Sequence, residues 1–332
     1  MLGYFLILNL ISFNFLVIIH YPLSIIHSQF PIPNSQFSIL NSQFSILLRV
    51  FMKKISQDII QNLQYVKVSN TNLDLSNFPN FMIVGPQRTG TTWLYWSLRQ
   101  HPQICFSRPK ELFYFNFLDM PEFPMYRSSE LSWYLQFFKE HPVRYLWKNF
   151  TTLRYHGEFY RPKIKGEATA TYAAMKTELI KDVLTLNPEI KIILMIRNPI
   201  DRAWSHAKKD LLKEPGKKYD EVSEQEFEKF FNDPYQLACG QYTAMIKKWS
   251  ACLPEGNLFI GFYDDIQQAP EQLLKRIFEF LGVRNEAKYY RLAQTIVNAT
   301  ESREIPEKYE KMLTAIFQDE IRQLKQDFGF SW

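Results

Sequence analysis

Two stretches of the chain combine residue types and spacings that can hold anions. The first is Phe81–Leu94, FMIVGPQRTGTTWL. Its apolar run, Phe81 to Val84, has the length and bulk of a buried strand. Gly85 and Pro86 break the run, and Gln87, Arg88, Thr89 and Gly90 make a tight polar turn. Thr91 and Thr92 then open a helical pattern whose apolar face is Trp93, Leu94 and Leu98. Loop N–H groups and the positive end of the helix dipole converge there into a phosphate cradle. The second stretch is Lys191–Leu212. A short apolar strand, KIILMI, ends in Arg197-Asn198-Pro199, and the helix Asp201–Leu212 carries Ser205. A cation at a strand's carboxyl end and a hydroxyl about two turns into the next helix can reach one anion, at the edge where α/β sheets gather ligands. Two anion sites on one edge suit a nucleotide with separate 5′ and 3′ phosphates.

The spacing Gly85-x4-Gly90 nearly reproduces the nucleotide-hydrolysing P-loop, but Thr91 stands where that motif has lysine. The cation has moved into the loop, to Arg88. A Walker-B strand ends in Asp to hold Mg²⁺. The strand here ends in Arg197, which repels a metal, so no required metal is expected. A P-loop kinase or NTPase is thereby disfavoured. A non-catalytic nucleotide- or sulfated-ligand-binding protein is the other alternative class.

Glu111 is the candidate for proton chemistry. It enters the apolar run LFYF. Desolvation there would raise its pKa and make it a better base near neutral pH. An ion pair with Lys110 or Arg108, or a solvent-facing position at a helix start, explains the residue equally well on chemistry alone.

These motifs resemble the sulfotransferases that use 3′-phosphoadenosine 5′-phosphosulfate (PAPS). Pro86-Gln87-Arg88-Thr89-Gly90-Thr91-Thr92-Trp93 is similar to their 5′-phosphosulfate loop, and Arg197-Asn198-Pro199-x-Asp201 with Ser205 is similar to their 3′-phosphate motif. Lys110-Glu111-Leu112-Phe113-Tyr114-Phe115 resembles the Glu-x-x-Phe-Phe segment of the heparan-sulfate type, in which the glutamate is the proposed base. The resemblance implies Glu111 and Arg88 as catalytic residues. It implies Arg88, Thr89, Gly90, Thr91, Thr92, Trp93, Arg197 and Ser205 as the PAPS site, with 3′-phosphoadenosine 5′-phosphate (PAP) as product. Phe262-Tyr263-Asp264-Asp265 looks like a segment of the cytosolic members whose tyrosine lies near the adenine, which adds Tyr263. Lys163–Tyr172 resembles a Glu-Lys-Thr/Ser-x-x-Tyr segment, with Glu167 and Thr169 matching and Ala168 in place of the lysine. The acceptor implied is a saccharide hydroxyl or amine. A lipid or small alcohol comes next, and protein tyrosine after it.

The elements that must position these residues read as an α/β fold: a central parallel sheet flanked by helices, with a P-loop-like first unit. Strand–loop–helix patterns at 81–98, 191–212 and 257–281 support it. Further helices are expected at Gln57–Val66, Ser132–Glu140, Thr177–Leu186, Tyr235–Leu253 and Glu307–Lys325, with a capping box at Ser223/Glu226. Asp264 and Asp265 read as a loop cap rather than a metal site. The aromatics of 117–155, including Trp133, Tyr134 and Trp147, read as core or lid packing, with sugar stacking the sharper alternative. The polar loop 213–224 is placed over the cofactor or acceptor. Arg291 and Arg303 are candidates for a late basic loop.

The domain reading is an apolar, repeat-containing segment 1–51, a linker 52–79 and a sulfotransferase-like domain 80–332. Residues 1–48 contain no Asp, Glu, Lys or Arg. Within them HSQFPIP, NSQFSIL and NSQFSILL are near-copies, a pattern closer to low-complexity translation than to a folded element. A start near Met52 predicts a cytoplasmic protein, and membrane association is expected only if residues 1–20 are an anchor. The net charge of +5 suits an anionic ligand, and without a Lys/Arg-rich tract no nucleic-acid partner is expected. Cys105, Cys239 and Cys252 form neither a disulfide framework nor a metal-ligand spacing.

Overall fold

A computed structural model describes residues 54–212, 221–295 and 304–332. The expectations for segment 1–51, for most of loop 213–224 and for Arg303 lie outside these residues. In chain order the elements are α1 (Gln57–Gln61), β1 (Phe81–Val84), α2 (Thr91–Arg99), β2 (Ile104–Phe106), α3 (Leu131–Leu135), α4 (Pro142–His156) and β3 (Ile164–Ala168). They continue as α5 (Thr177–Leu186), β4 (Lys191–Ile196), α6 (Pro199–Leu211), α7 (Glu224–Phe231), α8 (Pro234–Ala238) and α9 (Tyr242–Cys252). The last are β5 (Leu258–Phe262), α10 (Tyr263–Gln268), α11 (Pro270–Leu281) and α12 (Glu307–Phe328).

The strands form one parallel sheet in the order β2-β3-β1-β4-β5. β1 is central, with Ile83 opposite Ala168 on one side and Ile193 on the other. Side chains alternate across a strand, and each face of the sheet has its own core. Met82, Val84, Ile192, Leu194 and Ile196 pack with α5 and α9 on one face. Phe81, Ile83, Ile193 and Met195 pack with α2 and α11 on the other. A third cluster joins α6, α7 and α12 through Trp204, Phe227, Tyr309 and Phe317.

Several boundaries differ from the sequence reading for local reasons. The helix expected over Tyr235–Leu253 is two helices, α8 and α9. Gly240 breaks it because the chain there passes the Phe317 ring so closely that an added Cβ would lie 2.2 Å from it. The helix expected from Ser132 to Glu140 is α3 followed by a 3-10 turn, Gln136–Phe138. Asp264 and Asp265 are the first turn of α10, not a loop. Asp265 pairs with Arg276, and Asp264 accepts from the Trp332 indole at 3.1 Å. Residues 54–79 are not a free linker, since Ile55, Val66, Leu75 and Phe78 are buried in the main core.

Candidate functional site

The β1–α2 connection forms the expected cradle. Gly85 and Gly90 both take positive φ, where a side chain would be strained. A Cβ at Gly85 would lie 2.7 Å from the Met195 carbonyl, and one at Gly90 would lie 2.3 Å from Ile266 and 3.2 Å from Tyr263. Arg88 is also left-handed, at φ 75°, which no glycine relieves. Leu94 makes the first α2 backbone bond, to the Gly90 carbonyl. The N–H groups of Thr91, Thr92 and Trp93 precede that first intrahelical bond and stand at the positive end of the dipole.

The loop residues divide by role. The buried Thr89 hydroxyl donates to the Pro86 carbonyl at 2.8 Å, so it shapes the loop. The buried Trp93 indole donates to the Ala293 carbonyl at 3.2 Å, so its side chain ties residues 287–293 to the core. Only its backbone is placed to serve the cradle. Gln87 is held from α8, its amide oxygen accepting from the Tyr235 hydroxyl at 2.7 Å.

β4 leads into the second candidate stretch. The Asn198 side chain caps α6, accepting from Ile200 N–H at 2.9 Å, and Pro199 opens the helix with preset φ. Arg197 lies with its guanidinium 4.2 Å from the Tyr263 ring centre, and one of its NH groups donates to the Arg88 carbonyl at 3.4 Å. Its Nε is buried without a partner among the described residues, as an arm awaiting an anion would be. Ser205, buried on α6, accepts from Arg88 Nε at 2.9 Å. Burial, then the neighbouring Arg197 charge, pull the Arg88 guanidinium below its ordinary pKa. Two guanidiniums this close suit an anionic ligand between them. Arg202 and His206 back it from the same helix. Burial, then the Arg202 charge, lower His206 to about 4.

A cleft of about 850 Å³ opens beside the loop. Gln87 and Thr92 line one wall. Arg108, Lys110, Glu111 and Phe113 form another, and Trp96, Arg99 and Lys209 lie at its sides. Glu111 is there with Lys110 Nζ at 3.1 Å, so the ion pair weighed at the sequence level exists inside the cleft. Arg99 and Lys209 were not legible as site residues, since each reads as an ordinary helix-end cation.

Beneath Glu111 lies a buried polar network. Glu167, fully buried at the end of β3, accepts from the Tyr134 hydroxyl and from Thr169 Oγ1. Burial pushes its carboxyl up to about 7 against the lowering effect of those donors. Tyr134 is therefore core packing with a polar task, while Trp133 stacks on Tyr114. Lys165, on the same strand, donates to the Ser76 carbonyl and to Asn77 Oδ1, both at 2.8 Å, and does not replace the missing lysine. Among the described residues no three His, Cys, Asp or Glu side chains group to hold a metal.

A model of the sulfotransferase domain matches residues 78–327. The membrane-associated sulfotransferase kil1 of Dictyostelium discoideum is 31% identical over 127 residues, 38% of this chain and 22% of that protein. The human bifunctional heparan sulfate N-deacetylase/N-sulfotransferase 2 is 29% identical over 227 residues, 64% of this chain and 23% of that protein. The chain thus matches under a quarter of the length of these relatives. A sulfotransferase from Alicyclobacillus acidocaldarius has a similar fold, with a TM-score of 0.50 and 23% identity over 76% of this chain and 97% of that one.

Proposed function

Because the chain belongs to the sulfotransferase family, we propose that it moves a sulfuryl group from PAPS to a hydroxyl or amine of a saccharide. PAPS supplies the activated sulfuryl group, carried on a phosphate that leaves as PAP. The N–H groups of Thr91, Thr92 and Trp93, with Arg88, hold the 5′ end and bear the charge left on its phosphate. Arg197 and Ser205 hold the 3′-phosphate, which distinguishes the nucleotide from ATP. Tyr263, pressed between Gly90 and Arg197, faces the base. Glu111 takes the proton of the acceptor group, and the acceptor's oxygen or nitrogen bonds to sulfur as the sulfur–phosphate oxygen bond breaks.

The observation that carries this reading is the Arg88–Ser205 hydrogen bond of 2.9 Å. It joins the loop after β1 to the helix after β4, and this junction supports reading the two stretches as one nucleotide site. Two features support a saccharide acceptor. The cleft sets Arg99, Arg108, Lys110 and Lys209 around the Trp96 and Phe113 rings, which suits an acidic sugar chain. One relative's name also carries heparan sulfate. The test is transfer of labelled sulfate from PAPS to desulfated heparan, chondroitin and simple alcohols. Transfer to a polysaccharide supports the reading. PAP binding without transfer to any acceptor would favour the non-catalytic alternative, and Mg²⁺-dependent ATP hydrolysis the kinase-like one.

A further inference from the structure

Helix α4 is inside out. Its three fully buried residues, Lys148, Thr152 and His156, are all polar. Its outward arc carries Val143, Leu146, Trp147, Phe150 and Leu153, which are between 47% and 69% exposed. The spacing i, i+3, i+4, i+7 and i+10 is that of one helix face. Trp147, expected in core or lid packing, is therefore not a core residue.

The buried polar face is pinned by hydrogen bonds, so the helix cannot simply roll its apolar side inward. Lys148 Nζ donates to the Arg99 carbonyl at the end of α2. The His156 ring nitrogen lies 3.1 Å from the Lys288 carbonyl, Asn149 accepts from Tyr160 N–H at 3.0 Å, and Arg144 donates to the Phe106 carbonyl at 2.6 Å. Pro142 starts the helix, and Gly157 ends it in the left-handed conformation. A contiguous apolar stripe about 15 Å long is thus fixed facing outward.

The chemistry around the stripe says what covers it. Residues 139–163 hold six cationic side chains and two acidic ones, in a chain whose net charge is only +5. Lys139, Arg154, Arg161 and Lys163 are exposed on α4 and the chain that flanks it, and helical spacing puts Arg154 within the arc of the stripe. Both acids are engaged inward, Glu140 with Cys105 and Tyr160, and Glu158 with Arg284 and Lys288. Aromatic and aliphatic side chains at the depth of the acyl boundary, ringed by cations, are the makeup of a helix lying in a bilayer interface. No helix among the described residues is long and apolar enough to cross a membrane, and this one needs only to lie on it.

We propose that α4 is a membrane-surface helix that seats the protein on anionic lipid. The proposal is independent of the chemistry in the cleft. Trp147 and Phe150 enter the interface, and Arg154, Arg161 and Lys163 meet lipid phosphates and carboxylates.

The test is flotation of the full chain with vesicles of phosphatidylcholine alone and with about a third phosphatidylserine, set beside Trp147→Ser/Phe150→Ser and Arg154→Glu/Arg161→Glu. Both pairs sit on the surface, and unchanged circular dichroism and melting temperature establish folding. The expected result is binding to the anionic vesicles. It falls about tenfold or more in the Ser pair and about fivefold or more per cation reversed, and it weakens with salt. Two outcomes overturn the proposal. One is vesicle binding unchanged in the Ser pair, which assigns it to residues outside α4. The other is no vesicle binding together with a dimer that the Ser pair converts to monomer, which assigns the face to a second copy of the chain.

Discussion

Thr169 Oγ1 donates to Glu167 Oε1 at 2.8 Å and accepts from the Leu112 backbone N–H at 3.2 Å. One hydroxyl therefore ties the buried carboxylate of β3 to the residue that follows Glu111. The Phe115 N–H is held in turn by the Tyr172 hydroxyl at 3.3 Å. The cleft wall bearing Glu111 is thus hung from a buried acid through a threonine and a tyrosine.

Glu167 faces Tyr134, Thr169 and Tyr172, with the Glu111 charge nearby. Its carboxyl stands at about 7, above the usual 4.5, because burial disfavours the anion. The native state therefore keeps a proton that the unfolded chain has lost, and this site's stabilising effect falls as pH rises from about 4.5 to about 7. The limit is on the order of 3 kcal/mol. Melting temperature against pH should slope down through this window in the parent and more weakly in Glu167→Gln. Parallel curves would remove Glu167 from the titration.

Thr169→Val deletes the tie and keeps the shape. We expect turnover to fall about tenfold with PAP affinity intact, because only the wall carrying Glu111 loosens. Thr169→Ser should restore most of it. A loss of PAP affinity as large as the loss of turnover would place Thr169 in nucleotide binding instead.

What was legible in the chain follows from how local each signal is. β1, β4 and β5 are apolar runs stopped by a turn or a charged end, and their order in sequence carries the parallel sheet. β2 has only three residues, too few for a period, and went unread. α4 was unreadable for a different reason. A helical stripe shows only that one face is apolar, and the opposite face here is the buried one. Arg88, Arg197 and Ser205 were legible because each sits at a fixed offset from a strand end. The task of Glu167 depends on Tyr134, 33 residues earlier, and no local pattern encodes that meeting.

Glu111→Gln keeps the size of the side chain and removes the proposed base. Turnover should fall about 10²- to 10⁴-fold while PAP binding, measured by calorimetry, stays within about twofold. Retained turnover would return Glu111 to the role of ion-pair partner for Lys110.

Arg88 and Arg197 should separate kinetically. If Arg88 is aimed at the charge that develops during transfer, as proposed, Arg88→Ala should drop kcat about 10²-fold with a smaller change in PAP affinity. Arg197→Ala removes the proposed anchor of the 3′-phosphate. It should weaken PAP about 10- to 100-fold and leave binding of adenosine 5′-phosphosulfate, which lacks that phosphate, nearly unchanged. Equal losses for both nucleotides would mean that Arg197 does not read the 3′ end.

Asp182 helps tie residues 54–79 to the domain. It is buried on α5, and its carboxylate accepts from the backbone N–H groups of Gln64, Tyr65 and Val66 at 2.8, 2.8 and 2.9 Å. The chain leaves helical geometry after Gln61, short of the expected Val66, and presents these donors to it. Asp182→Ala strands all three, at a cost on the order of 3 kcal/mol. The melting temperature should fall about 5–10 °C, and hydrogen exchange should rise over 62–68 ahead of the sheet. Asp182→Asn keeps one acceptor oxygen and should lose less. A melting temperature unchanged in Asp182→Ala would leave the buried apolar side chains Ile55, Val66, Leu75 and Phe78 as what holds this stretch.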